Sequence, residues 1–145
     1  MTSDFAIAVH ALVYLNHKQV PQSSEQIAAN VCTHPVRVRR VMARLKRAGL
    51  VRTREGAAGG SLFCREAVKV SLLQVAVALQ ETPVDIKYRT GDLDMDCAVA
   101  SGMAGIMDAI YKDMNGACYG VLDNVTIADI DKEIFHRGGE NDKKV

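Results

Sequence analysis

The sequence of 145 residues contains no tryptophan and only three phenylalanines and four tyrosines. A core with so few aromatic side chains must be aliphatic, and a hydrophobic content of 48% is enough to build one. No apolar run approaches the roughly 18 residues of a membrane-spanning helix, and the first residues lack the basic start of a signal peptide. These absences predict one cytoplasmic domain, or one small domain with an appendage, without a membrane partner.

Cysteine and histidine are too sparse and too scattered to predict a metal site. The four cysteines, at positions 32, 64, 97 and 118, form no CxxC pair, and no histidine occurs at positions 35–135. Zinc and iron–sulfur sites generally need about four ligands of these types close together. We therefore predict no metal and no cofactor, and reduced thiols instead of disulfides.

The formal net charge of +1 hides an uneven distribution of charge along the chain. Residues 1–70 hold eleven Lys and Arg against four Asp and Glu, whereas residues 71–145 hold seven against thirteen. The densest basic segment, residues 36–49 (VRVRRVMARLKRAG), contains five arginines, one lysine and no acid. A basic half carried by an acidic remainder is typical of proteins that bind nucleic acid.

The basic segment has the periodicity of an amphipathic helix. One face has the apolar spacing i, i+3, i+4, i+7, at Val38, Val41, Met42 and Leu45. The opposite side carries a stripe of basic residues, at Arg37, Arg40, Arg44 and Arg47, flanked by Arg39 and Lys46. Pro35 suits the first helical position, and Gly49 suits the residue past the end. Because the segment contains no acid, we expect the stripe to be unpaired and to face a polyanion.

A second short helix precedes the basic helix closely enough to form a helix-turn-helix. In residues 22–31 (QSSEQIAANV), Ser23 and Gln26 have the spacing of a capping box, which predicts a helix capped by Ser23. The residues CTHP connect this helix to the basic one. Two short helices joined by about four residues, the second of them basic, are typical of DNA-binding helix-turn-helix proteins.

Residues 50–64 (LVRTREGAAGGSLFC) predict a small hairpin directly after the basic helix. Gly56, Gly59 and Gly60 allow a tight tip between two short strands. A hairpin in this place is the wing of a winged helix, and Arg54 lies where it could insert into the minor groove. A nucleotide-binding loop is the alternative, but the lysine and Ser/Thr of a P-loop are missing.

The second half of the chain predicts three further segments. Residues 70–81 (VSLLQVAVALQE) predict a helix that Ser71 caps and Pro83 ends. The acidic residues 84–96 lack periodicity and predict a loop. A long helix follows, with an apolar heptad seam at Ala100, Met103, Met107, Ile110, Met114, Ala117 and Val121.

The sequence therefore predicts a mainly α fold with a small β-hairpin. The expected organisation is a winged helix-turn-helix domain over residues 1–82 and a loop over residues 83–96. Residues 97–135 are expected to form the long dimerisation helix and a terminal helix capped by Thr126. Residues 136–145 are polar and are expected to form a disordered tail.

These segments resemble the Rrf2 family of winged helix-turn-helix transcription regulators over nearly the whole chain. The resemblance rests on AIAVHALVYL, SSEQIAANV, PVRVRRVMARLKRAGLV, the wing REGAAGGSL, VSLLQVAVALQE, a cysteine opening the long helix, and TIADI near the end. It implies a homodimer that pairs through the long helix and binds a palindromic operator in double-stranded DNA.

The chain departs from the family pattern in two places. Iron–sulfur members have three cysteines in the loop and early long helix, and this chain has only Cys97 there. The common wing has an arginine directly before its first glycine. Here Glu55 takes that position and Arg54 stands one residue earlier.

We expect the DNA contacts to come from the helix-turn-helix and the wing. The candidates are Ser24, Gln26, His34, Val36, Arg37, Arg39, Arg40, Arg44, Arg47, Arg54, Gly59 and Gly60. Arginines early in the recognition helix are placed for base edges, and the later ones for phosphates. A bacterial winged helix of this size has no obvious polymerase-contacting region, which favours a repressor over an activator.

Cys97 has two interpretations. A helix N-terminus favours a thiolate and the three nearby aspartates oppose it, so we expect a thiol pKa near the ordinary value and a structural role. A redox sensor is the alternative. Cys32 and Cys64 are predicted to be packing residues.

Two other classes of function explain the sequence less well. An enzyme with a Cys97 nucleophile would need a histidine base from distant positions such as His34 or His136. An interaction module without DNA contact would leave the arginine stripe unexplained. We therefore predict a regulator and not an enzyme, whose control by a protein partner or a small-molecule effector stays open.

Overall fold

The computed structural model describes residues 1–138, which form six α-helices and one two-stranded sheet. The elements in chain order are α1 (Ser3–Lys18), α2 (Ser24–Val31), α3 (Pro35–Arg47), β1 (Val51–Arg54), β2 (Gly60–Phe63), a 3₁₀ turn (Ala67–Lys69), α4 (Leu72–Ala78), α5 (Ala98–Asp123) and α6 (Ile127–Gly138). This order confirms the predicted mainly α fold with a hairpin after the third helix.

The core is aliphatic, as the scarcity of aromatic residues predicts. Helix α1 contributes a nearly continuous apolar surface, and Leu12 and Leu15 are almost fully buried. The predicted inner face of α3 is also buried, and it consists of Val38, Val41, Met42 and Leu45. Ile27 of α2 completes the contact among the three helices. Burial of each such side chain contributes about 1.5–3 kcal/mol, so packing of these faces dominates the stability of the domain.

The hairpin is anchored to the segment that precedes α2. Strands β1 and β2 pair antiparallel, with Val51 opposite Phe63 and Arg54 opposite Gly60. Ser61 and Gln22 exchange two backbone hydrogen bonds of 2.8 and 3.0 Å. At Gly60, where φ is 148°, a Cβ atom would lie 2.3 Å from the Gln22 carbonyl oxygen. Only glycine permits this close approach of the two backbones.

Helix α4 begins as predicted and ends earlier than predicted. Ser71 and Gln74 form a reciprocal capping box at its start. The helix stops at Ala78, five residues before Pro83, because Gln80 adopts the left-handed conformation with φ 51° and the Glu81 N–H donates to the Ala76 carbonyl. The predicted end at Pro83 is therefore wrong. No helix or strand occurs between α4 and α5.

Helix α6 packs against α1 and the core of the first half of the chain, although it follows the long helix in sequence. Ile127 is fully buried, and its N–H donates to the Val70 carbonyl, while the Leu72 N–H donates to the Val125 carbonyl in the bridge between Ser71 and Thr126. Thr126 caps the helix, as predicted. The helix continues to Gly138, so the expected start of a disordered tail at residue 136 is wrong, and residues 139–145 lie outside the described residues.

We expect the substitution Ile127→Ala to lower the free energy of unfolding by about 2–5 kcal/mol, because it opens a cavity in the shared core. Urea denaturation followed by circular dichroism measures this loss. Ile134→Ala is the matched control on the same helix, because Ile134 is 51% exposed and its truncation should cost about 0.5 kcal/mol or less. Equal losses at the two positions would contradict the packing of α6 on the core.

No helix within residues 1–138 has the length and apolar character that a membrane crossing requires.

Candidate nucleic-acid interface

Helices α2 and α3 form a helix-turn-helix with both helix starts capped by side chains. The Ser23 hydroxyl accepts from the Gln26 N–H, and the Gln26 side chain accepts from the Ser23 N–H at 2.7 Å. Cys32 ends α2 in the left-handed conformation, and His34 caps α3 by accepting the Val36 N–H at Nδ1 over 3.2 Å. The capping box and the helical start at Pro35 agree with the sequence prediction.

The DNA-contact residues predicted in the helix-turn-helix differ in how far they are exposed to solvent. Ser24 is half-buried in the first turn of α2. The Gln26 side chain is exposed, and its Oε1 is occupied by the capping bond to Ser23. His34 and Val36 are exposed at the start of α3, where Val36 has 60% of its surface accessible.

The exposed face of α3 differs from the predicted arginine stripe. Its exposed residues are Val36, Arg39, Arg40, Ala43, Lys46 and Arg47. Arg37 and Arg44 are only half-exposed and lie at one edge of this face. The solvent-facing surface is therefore a basic band with two small or apolar residues, Val36 and Ala43, along its middle.

Acids from two other helices pair with three of the arginines, so the expectation of an unpaired stripe is wrong. Asp4 of α1 accepts from Arg37 Nε at 2.8 Å and from a terminal nitrogen of Arg40 at 2.9 Å. Arg39 pairs with Glu25 of α2 at the surface. The sequence could not show these pairs, because the acids lie 33, 36 and 14 residues from their partners.

Asp4 is the residue of this surface that the sequence analysis missed. Its side chain is 9% exposed, and burial by itself raises the pKa of its carboxyl group. Hydrogen bonds and charges from Arg37 and Arg40 outweigh burial and hold the pKa below its usual value. Asp4 is the only acid among the first 24 residues, which is the signal that sequence reasoning could have used.

Arg44 is turned towards the end of α4. It donates a hydrogen bond to the carbonyl oxygen of Leu79, the residue that follows the last turn of that helix. A guanidinium at this place interacts favourably with the negative end of the helix dipole. The structure thus gives Arg44 an intramolecular partner that the phosphate prediction did not include.

The wing presents its basic side chains to solvent. Arg52 and Arg54 of β1 are exposed, and Arg54 stands at the last pair of the hairpin before the tip. Gly59 lies so close to the opposite strand that a Cβ atom would be 2.2 Å from the Arg54 carbonyl oxygen. Glycine at this position lets the tip close tightly behind Arg54.

Helix α5 is continuous from Ala98 to Asp123 and has no fully buried residue. One side is half-buried against the rest of the chain, and it includes Ala104, Met107, Tyr111 and Cys118. The other members of the predicted seam stay exposed, except for half-buried Ala100, and they are Met103, Ile110, Met114, Ala117 and Val121. Val99 and Ile106 extend this exposed apolar face, with 67% and 61% of their surfaces accessible.

All four cysteines are free thiols, and three of them are exposed. Cys32 and Cys64 are among the exposed ones, so the prediction that they are packing residues is wrong. They lie at a helix end and just past a strand end, where few side chains cover them. Cys118 is half-buried on α5.

Cys97 stands at the N-cap of α5 and is exposed. The backbone N–H groups of Ala100 and Val99 at the helix start lower the pKa of its thiol, although neither makes a full hydrogen bond to the sulfur, and they outweigh the small effect of desolvation. The expectation of a pKa near the ordinary value is therefore wrong. It underestimated the directed N–H groups of the first helical turn relative to the neighbouring aspartates.

Comparisons with known proteins place the chain among transcriptional regulators. Residues 1–133 match the profile of the family described as "Rrf2: Iron-dependent Transcriptional regulator". The HTH-type transcriptional regulator YwnA of Bacillus subtilis (strain 168) is 28% identical over 135 residues, which cover 93% of this chain and 99% of that protein.

Two solved structures show the same fold at lower identity. A transcriptional regulator from Lactobacillus plantarum superposes with a TM-score of 0.82 at 22% identity, over 95% of this chain and 93% of that one. CymR of B. subtilis, described as its global cysteine regulator, superposes with a TM-score of 0.68 at 19% identity, over 92% and 96% of the two chains.

The residues present do not fit the iron that the family description names. Cys97 lies in the loop-to-helix junction without another cysteine or a histidine between positions 65 and 117. Within residues 1–138, no three Cys, His, Asp or Glu side chains come together as a group able to hold a metal ion. The donor set is too small for an iron–sulfur cluster bound by one chain.

Proposed function

This chain belongs to the Rrf2 family of transcriptional regulators, which bind DNA and are not enzymes, and we propose that it is a homodimeric repressor acting on a palindromic operator. The observation that carries the proposal is the exposed basic band of α3 followed by the anchored wing. A dimer seated on an operator blocks polymerase by occupying the site and needs no further contact. Because its target is DNA, we propose that the protein acts in the cytoplasm.

The basic band suits the major groove of DNA. Side chains near the N-terminus of a recognition helix reach base edges, which assigns Arg39 and Arg40 to base recognition and Val36 to contact with a thymine methyl group. Arg47, at the other end of the band, suits a phosphate. Ala43 lies between them, and its short side chain lets the helix approach the groove closely.

The wing supplies a second contact beside the helix. Arg54 is exposed next to the hairpin tip, where a guanidinium can reach the minor groove or a phosphate. Gly59 and Gly60 act through the backbone, because they close the tip and join β2 to the segment before α2. Glu55 follows Arg54 directly and limits how closely phosphates approach the tip.

The exposed apolar face of α5 supplies the proposed dimer interface. Met103, Ile110 and Met114 are 38–46% exposed, and burial of that remaining surface in a dimer would contribute about 0.6–1.4 kcal/mol per side chain before entropy is counted. We propose that a second copy of this chain covers the face. Recognition of a palindromic operator requires two recognition helices in major grooves about one helical turn apart, roughly 34–36 Å.

Salt dependence of binding tests the proposal that the basic band contacts DNA. Fluorescence anisotropy with labelled duplex DNA at several potassium chloride concentrations gives the slope of log K against log salt. We expect a steep negative slope, of about −0.9 for each phosphate contact. Association that does not change with salt would favour an interaction module in place of a DNA-binding protein.

Thiol regulation through Cys97 is a second candidate, favoured by its exposure and lowered pKa. Because the thiolate forms at lower pH than in an ordinary cysteine, alkylation of Cys97 by iodoacetamide should reach half its maximal rate at a lower pH than in an unstructured peptide of residues 91–102. Mass spectrometry of the alkylated protein across pH measures this. Equal midpoints in protein and peptide would contradict the effect of the helix start.

DNA release decides whether this chemistry regulates binding. Diamide treatment should release DNA from the wild-type protein and leave Cys97→Ser bound if Cys97 is the sensor. Retention of DNA by both proteins would leave control to a protein partner or a small-molecule effector.

A further inference from the structure

We infer that Asp4 determines the DNA specificity of this protein, although it lies on α1 outside the helix-turn-helix. The inference rests on the proposed DNA-binding function and assigns a role to a residue that contacts no base itself. Asp4 is a positioning residue, and it acts through the guanidinium groups of Arg37 and Arg40.

One carboxylate holds two arginines of the recognition helix. Its two oxygens accept separately, from Arg37 Nε at 2.8 Å and from Arg40 at 2.9 Å. Arg37 also donates to the Ser3 hydroxyl, so it is held at two points of α1. The Arg40 side chain remains 64% exposed, and Asp4 accepts from one of its terminal nitrogens. Its guanidinium is therefore accessible to DNA, but in a restricted orientation.

Asp4 is itself fixed by contacts at the start of α1. Its N–H donates to the Thr2 hydroxyl, which caps the helix. The Thr2 N–H and hydroxyl both donate to the Glu81 carboxylate, after α4. The terminal amino group donates to the carbonyl oxygens of Thr82 and Pro83 at 3.2 and 3.0 Å. Asp4 therefore holds the arginines against the start of α1, whose first two residues are hydrogen-bonded to residues 81–83.

This arrangement favours specific over non-specific DNA in two ways. A guanidinium already oriented by Asp4 loses less conformational freedom when it meets a base edge. The carboxylate charge also cancels part of the attraction of the arginines for phosphates, which supplies most non-specific binding. Removal of Asp4 should thus strengthen non-specific binding and weaken discrimination.

The test compares two labelled duplexes, one that the wild-type protein selects from a random-sequence pool and one scrambled to the same composition. For Asp4→Asn we expect three- to tenfold tighter binding to the scrambled duplex and a salt slope steeper by about 0.9. The ratio of the two dissociation constants should fall at least about fivefold. Circular dichroism verifies that the variant is folded.

Glu55→Gln is the control matched for charge, because it removes one acid from the exposed wing without touching Arg37 or Arg40. It should steepen the salt slope and leave the ratio unchanged. Asp4→Glu keeps the charge and displaces the carboxylate by one methylene. It should keep the wild-type salt slope and lower the ratio of the dissociation constants at least about twofold. If Asp4→Asn does not fold, this variant tests the role of Asp4 in its place.

An unchanged ratio in folded Asp4→Asn, or in Asp4→Glu if the asparagine variant is unfolded, would overturn the role of Asp4 and leave DNA binding intact. Equal losses of discrimination in Asp4→Asn and Glu55→Gln would overturn it as well, since charge alone would then explain both. If the wild-type protein enriches no sequence from the pool, the proposed function fails first, and the inference fails with it.

Discussion

Replacement of Ile110 and Met114 by aspartate is expected to convert the proposed dimer to a folded monomer and to weaken operator binding at least about 100-fold. Both side chains are exposed in the protomer, at 46% and 45%, so the aspartates should not disturb its fold. In the dimer they would place charges inside an apolar helix pair, where burial of an unpaired charge is unfavourable. Loss of the second half-site removes the gain from bivalent binding, which is on the order of 100- to 10,000-fold.

Sedimentation velocity measures the change of association state, and anisotropy measures operator affinity. Ala109→Asp with Gly116→Asp is the matched control, because it adds the same charge on exposed positions about 100° or more around the helix from Ile110. This control should remain dimeric. A dimer that persists in Ile110→Asp with Met114→Asp would place the interface on another surface. If the control variant is also monomeric, the interface extends to the side of α5 that carries Ala109 and Gly116.

Alanine at both Arg39 and Arg40 is expected to lower operator affinity by about 30- to 20,000-fold, since each base contact contributes roughly 1–3 kcal/mol. The double variant should keep its fold. Asp4 retains its pair with Arg37, and the Glu25 left by Arg39 is already 61% exposed. Anisotropy titration with the selected and the scrambled duplex shows how much of the loss is specific.

Lys87→Ala with Lys112→Ala controls for the loss of two positive charges, because both lysines are exposed and lie outside the basic band. That pair of changes should weaken binding by about threefold or less through the long-range field alone. If removal of Arg39 and Arg40 had no larger effect than removal of these lysines, α3 would not be the recognition helix.

Local patterns predicted the elements well because their causes lie within a few residues of each other. Ser23 and Gln26 form the expected capping box, and the apolar spacing of α3 is its buried face. The glycines of residues 50–64 predicted the hairpin, because its tip and its contact with Gln22 exclude a Cβ atom. Each of these features depends on backbone geometry that neighbouring residues determine.

Contacts between distant segments could not be predicted from the sequence. Asp4 pairs with arginines more than 30 residues away, so the periodicity of α3 could show a basic side but not which arginines are paired. The left-handed residue Gln80 ends α4 before Pro83, and no local signal marks it. Ile127 is buried because its helix returns to α1, and this return depends on the backbone pairing beside Ser71.

For the Cys97 thiol, the sequence could not show which of two opposing effects on its pKa is larger. The sequence identified both influences on it, the helix start and the neighbouring acids. It could not show that the N–H groups of Ala100 and Val99 have the larger effect on the thiol pKa. Directed hydrogen bonds to the charged form shift a pKa more than exposed charges do, since solvent and salt screen the latter.

Selection of DNA from a random-sequence duplex pool by the wild-type protein tests the central claim most directly. The account predicts enrichment of an inverted repeat whose two half-sites are centred about 10–10.5 base pairs apart, or a multiple of that distance, as two recognition helices of a symmetric dimer require. Recovery of a pool with no enriched sequence, or of a single unrepeated half-site bound by one chain, would contradict it.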